Sequence, residues 1–128
     1  MERKMFTPTA KQEAKFQKMY QAYEDAAAAI PSDAEIKVIW ARAHGGKTTG
    51  WGMKKATLIE NNMTFTRPYQ MGIWQGRVDK ARGLAYSEER NENLYNLGYY
   101  RGYTEYESNR KGWDAQTRED FDQAYLEK

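Results

Sequence analysis

RPYQMGIWQGRVDKARGLAYSEERNENLYNLGYYRGYTEYESNRKGW, residues 67–113, decides how the rest of the chain folds. It holds two Gly-x-x-x-Gly pairs, Gly72/Gly76 and Gly98/Gly102, each inside a run rich in Tyr, Trp, Leu and Met. Residues four apart share one face of a helix, so each pair clears a flat strip where another backbone can approach. Glycine inside a helix costs about 1 kcal/mol relative to alanine. Four of them in two helices call for a compensating gain, and close helix–helix contact supplies it. The stretch therefore predicts an αα-hairpin with GxxxG contacts, its helices over 68–86 and 91–108. Residues 87–91 make the turn, with Asn91 capping the second helix.

On the N-terminal side, Thr7-Pro8 is a helix-start signal, with Thr7 as the cap and Pro8 in the first turn. Phe16, Met19, Tyr20, Tyr23 and Ala27 then recur at the spacing of an amphipathic helix, which runs to Ala29 and is ended by Ile30-Pro31. Residues 35–42, EIKVIWAR, are rich in β-branched and aromatic side chains and predict a strand, although Ile39 breaks the alternation. Residues 44–52 are glycine-rich and predict a loop. Residues 55–65 predict a second strand, completing a β-hairpin that must pack on a helix to be stable. On the C-terminal side, Asp114 caps a short helix carrying Phe121, Ala124 and Tyr125 on one face. The sum is a single α+β domain over residues 1–128: N-terminal helix, β-hairpin, αα-hairpin, short C-terminal helix.

Composition narrows the function classes. Net charge is +2, which excludes a protein that coats nucleic acid by charge alone. The absence of cysteine removes disulfides, thiolate chemistry and cysteine zinc sites. No apolar run approaches the roughly 20 residues that span a bilayer, and the N-terminus lacks an apolar signal core. A cytoplasmic protein without a membrane partner is expected. Ten tyrosines and four tryptophans supply core mass, and their polar ends favour the core boundary or an interface.

Two residue sets are candidate contacts. Arg42, His44, Lys47, Trp51, Lys54 and Lys55 gather around the expected hairpin tip, and Arg42, Lys47, Trp51, Lys54 and Lys55, with Arg101, suit phosphate contact and base stacking in RNA or DNA. Tyr99, Tyr100, Tyr103 and Tyr106, with Arg110, suit a protein-binding face, since tyrosine and arginine dominate such surfaces. His44-Gly45-Gly46-Lys47-Thr48 lacks the first glycine of a phosphate loop, and a strand rather than a helix is expected after it. His44 stands alone, with no cysteine or carboxylate pair beside it, and reads as an exposed loop residue. Glu88-Glu89 and Glu105/Glu107 do not form acid–base pairs on a helix. No catalytic residue, metal site or cofactor is expected.

The spacing Gly76, Ala81-x-Gly83, then Tyr95-x-x-Gly98-Tyr99-x-x-Gly102 resembles the ribosome modulation factor family, over about residues 69–108. The resemblance implies a helical hairpin that binds ribosomal RNA and favours inactive ribosome dimers. Many small phage and mobile-element proteins are similar in this stretch. The expected function is that of a small non-enzymatic accessory protein, of phage or mobile-element type, docking on a host protein or ribonucleoprotein that handles nucleic acid. Two alternatives stand beside it: an RNA- or ribosome-binding factor, and a protein–protein inhibitor of a host defence complex that touches no nucleic acid. A homodimer through exposed parts of the glycine strips is a further expectation.

Overall fold

The computed structural model describes residues 3–25, 33–46, 60–61, 66–88 and 93–126. Six helices form among them: α1 (Ala10–Asp25), α2 (Asp33–Ala43), α3 (Arg67–Ala81), α4 (Asn93–Thr104), α5 (Tyr106–Lys111) and α6 (Ala115–Tyr125). No strand occurs among these residues, so the α+β expectation and its β-hairpin are overturned. Residues 35–42, expected as the first strand, are helical in α2. Ile36 and Ile39 are buried, and Trp40 and Ala43 pack against the same cluster. That is the i, i+3, i+4, i+7 spacing of a helix, and burial on one helical face outweighs β propensity. The second expected strand, 55–65, lies outside the described residues except for Glu60 and Asn61, which are helical.

α3 and α4 form the centre. Cβ atoms added to Gly72 and Gly76 would meet the backbone nitrogens of Tyr99 and Tyr103 at 2.8 and 2.6 Å. Added to Gly98 and Gly102, they would meet the carbonyl carbons of Tyr69 and Ile73 at 3.0 and 2.7 Å. Backbone faces backbone at all four positions, which brings Cα–H groups and carbonyls within reach. All four glycines are buried in this contact within one chain.

The helix ends follow local chemistry. Pro68 sits in the first turn of α3. At its other end Gly83 takes φ +74, the Gly83 amide donates to Lys80 O at 3.1 Å and the Leu84 amide to Asp79 O at 2.9 Å. This is a Schellman motif, and it stops the helix at Ala81 instead of the expected 86. The second expected helix, 91–108, divides at Glu105 into α4 and α5. α1 starts two residues later than Thr7 implies. Thr9 Oγ1 accepts from the Gln12 amide at 3.1 Å, while the Thr9 amide donates to Gln12 Oε1 at 2.9 Å, a reciprocal capping box. Residues 26–32 and 91–92, where α1's end and the Asn91 cap were expected, lie outside the described residues.

Two apolar clusters flank the hairpin. One joins Ile36 and Ile39 of α2 to Tyr69, Ile73 and Leu97. The other joins Phe6, Phe16, Trp74, Val78, Tyr106, Phe121 and Tyr125. Phe6 stacks on Trp74 at 5.3 Å, so the segment ahead of α1 lies as a strap across α3 and α6. The Phe6 amide donates to Gln75 Oε1 at 2.7 Å, Gln75 Nε2 donates to Lys4 O at 2.9 Å, and the Thr7 amide donates to the Tyr125 hydroxyl at 3.0 Å.

Asp114 caps α6, accepting from the Thr117 amide at 2.7 Å, and Arg110 donates to both oxygens of Asp122 at 2.7 and 2.8 Å. The amide bond holds the Asp114 carboxyl below its ordinary range, and the Arg110 hydrogen bond does the same for Asp122. Carboxyls whose folded pKa is depressed stabilise the fold fully above their unfolded pKa, and that stability is lost as pH falls through the folded value. The melting temperature is therefore expected to hold between about pH 5 and 7 and to fall below about pH 4. Thermal melts followed by circular dichroism across that range check it, and Asp122→Asn should flatten the acid limb. An unchanged pH profile in that variant would remove the Arg110–Asp122 pair from the explanation.

Candidate functional site

The tyrosines of α4 and α5 divide between two environments. Tyr99 is 0% exposed and Tyr106 is buried against Trp113 and Phe121, so both belong to the interior. Tyr100 and Tyr103 remain half-buried, and the Tyr103 ring lies 6.0 Å from that of Tyr99, at its solvent edge. Their rings adjoin Tyr86, which follows the α3 cap and is 37% exposed, at 6.1 and 5.4 Å in edge-on arrangements. On the far side of Tyr100, the exposed His44 ring lies between Tyr100 at 3.9 Å and Trp40 at 3.8 Å. Trp40, His44, Tyr100, Tyr86 and Tyr103 thus form one continuous aromatic strip, drawn from α2, α4 and the segment after α3.

Polar contacts hold the rings in place. The Tyr103 hydroxyl donates to Leu84 O at 2.7 Å. Trp40 Nε1 donates to Glu88 Oε1 at 3.2 Å, and the Tyr86 hydroxyl donates to the same oxygen. His44 Nδ1 lies 2.8 Å from Trp40 O. Lys80 stands 5.3 Å from the Tyr103 ring and adds a positive charge at one end. Burial and the Glu88 hydrogen bond push the Tyr86 phenol up, so it stays neutral at every physiological pH. A pre-ordered set of rings with fixed hydroxyls loses little rotamer freedom when a partner covers it.

The predicted basic set is arranged differently. Arg42 and Arg101 converge on Glu60, at 3.1 and 2.8 Å. Burial acts to lower the Arg101 pKa, but the charge and hydrogen bond of Glu60 outweigh it and the guanidinium is held more firmly protonated. A phosphate at this place would compete with that carboxylate. Lys47, Trp51, Lys54 and Lys55 lie outside the described residues. Arg110, assigned to the protein-binding face, is engaged with Asp122 and lies 6.0 Å from the Trp113 ring, on the opposite apolar cluster from the strip.

Sequence reasoning missed Trp40, Tyr86 and Glu88, and it read His44 as an exposed loop residue without its stacking between two rings. Once 33–43 is helical, Trp40 and His44 are four apart and their stacking follows from the last turn of α2. Among the described residues, no group of three acidic or histidine side chains could hold a metal ion, and no helix is long and apolar enough to cross a membrane. The chain matches no protein-family model, no curated protein and no solved structure.

Proposed function

We propose that this is a small non-enzymatic accessory protein of the cytoplasm, of the kind phages and mobile elements carry, which docks on a larger host complex through its aromatic strip. The observation that supports this reading is the strip itself: five adjoining rings, partly open to solvent and held by hydrogen bonds, beside the lysine at residue 80. Tyrosine and tryptophan are among the residues that dominate the energetic centres of protein interfaces. The pairing of Arg42 and Arg101 with Glu60, and of Arg101 with Glu105, favours a protein over a nucleic-acid partner, because the two cations already face two carboxylates. Blocking a host defence complex is one form such docking takes.

The test is capture of a partner from the native host with and without nuclease. A saturable, nuclease-resistant partner is expected, and Tyr100→Ala and His44→Ala should each weaken it by about 2 kcal/mol. Unchanged melting curves in both variants would show that the loss is local. A partner retained at full strength by both variants would remove the strip from the interface.

A second reading has its own support. The Trp40–His44–Tyr100 stack also suits unpaired bases, which accept any aromatic face, and the resemblance to the ribosome modulation factor family points the same way. It predicts retention of single-stranded RNA that falls steeply as salt rises. Filter binding at low salt with no retained RNA would dismiss it.

A further inference from the structure

Arg77 projects from the face of α3 that carries Trp74, and no carboxylate among the described residues lies within ion-pair distance of it. Its Nε is shut off from solvent with no acceptor. The guanidinium lies 4.5 Å from the Trp74 ring and 5.4 Å from the Trp113 ring. Contact with the rings compensates part of the charge and uses none of the five N–H donors. Burial lowers its pKa to about 10, so it remains charged at neutral pH. Glu105, the acid whose charge favours it, is ion-paired with Arg101 at 3.4 Å. A largely buried cation with no hydrogen-bonded anion is costly to keep, and an anion bound beside it would offset that cost.

Space for one adjoins it. A hollow of about 370 Å³ opens between α1, α3 and α6, with Arg77 on its wall. Phe16, Met19 and Trp74 give it an apolar side, and Lys11 and Lys15 add two positive charges on the α1 side. Two carboxylates also line it, Asp114, which caps α6, and Asp120, which accepts from Gln116 Nε2 at 2.8 Å, so three cations against two acids leave a net charge of +1. The volume lies within the range of small-molecule sites, and the combination of an apolar wall with a cation that lacks an ion pair among the described residues points to the ligand class.

We propose that this hollow binds a small anion on an apolar body, a carboxylate or phosphate monoester, with Arg77 as its counter-charge and Phe16, Met19 and Trp74 as its wall. A planar guanidinium matches both head groups in a bidentate fork. The site is independent of the aromatic strip, which lies around a different set of rings.

The test uses phenylacetate and phenyl phosphate as probes on the full chain, with indole N–H resonances of the ¹⁵N-labelled protein as the readout. At least one probe is expected to shift the Trp74 and Trp113 signals saturably while the Trp40 signal stays in place. Benzyl alcohol, which lacks the charge, and inorganic phosphate, which lacks the apolar body, should each bind about tenfold more weakly or worse. Arg77→Met should weaken the better probe by about tenfold or more, and Arg77→Lys should weaken it less. Lys11→Gln combined with Lys15→Gln should weaken it by about threefold, and this variant carries the test should Arg77→Met fail to fold. Full affinity in Arg77→Met, full affinity in the double lysine variant, or shifts at Trp40 in place of Trp74 would each overturn the proposal. So would the absence of binding by both probes up to about 10 mM.

Discussion

Asp79→Ala is expected to be the most damaging polar substitution in the chain, at about 3–5 kcal/mol. Asp79 is 1% exposed, and its oxygens accept from the Tyr99 hydroxyl at 2.6 Å and Gln75 Nε2 at 2.9 Å and pair with Arg3 Nε at 3.1 Å. Its removal leaves a fully buried phenol without its acceptor and a cation without its counter-charge. Arg3 is 16% exposed and can turn partly to water, which sets the expectation toward the lower end. The damage also spreads along the chain, because Gln75 links Asp79 to the strap at Lys4 and Phe6. Urea unfolding measures the loss, and hydrogen exchange at the Phe6 amide should quicken. Tyr99→Phe removes the hydroxyl that donates to Asp79 and accepts from the Ser87 amide at 3.3 Å, and should cost about 1–2 kcal/mol. In a double-mutant cycle the two losses should fall short of additivity, since both act on one bond. A cost for Asp79→Ala below about 1 kcal/mol would show that this network does not hold the strap.

Where the sequence spoke through backbone geometry, it was readable. Glycines four apart have few other uses in a helix, and all four lie in one contact. Gly83 could have been read as the stop of α3, since a glycine after a lysine- and arginine-bearing last turn is the usual C-terminal signal. Residues 35–42 were misread because composition was weighed above spacing. Ile39, which broke the alternation of a strand, completes the helical face formed with Ile36, Trp40 and Ala43. The sorting of the tyrosines was out of reach for a different reason. Tyr99 turns inward because its acceptor, Asp79, is buried on α3 twenty residues away in sequence, and no local pattern reports that. The pairing of Arg42 and Arg101 with one glutamate at residue 60 is equally non-local. A lone arginine at 77 looks like any surface residue until the tryptophans beside it and the missing carboxylate are seen together.

Gly102→Ala should destabilise the fold by about 2 kcal/mol, although alanine is the better helix former by about 1 kcal/mol. The added methyl would meet the Ile73 carbonyl carbon at 2.7 Å and Cα at 2.9 Å, with the carbonyl oxygen closer still. Every one of these atoms is backbone, so no side chain can rotate away and α3 and α4 must separate. Separation pulls Leu97 from Ile73 and Tyr69, so the penalty combines overpacking at the contact with voids beside it. Gly112→Ala is the control. Gly112 has φ −87, and its added methyl would meet only Asn109 O, at 3.5 Å, an ordinary contact. That variant should stay within about 0.5 kcal/mol of the parent. Urea unfolding of both, with the slope compared as well as the midpoint, separates a loss of native packing from a change in the unfolded chain. Equal stability of Gly102→Ala and the parent would mean that the two backbones do not need their close approach. The expected asymmetry between the two glycines would show that the missing Cβ at Gly102, and not glycine's flexibility, is what holds the helical pair together.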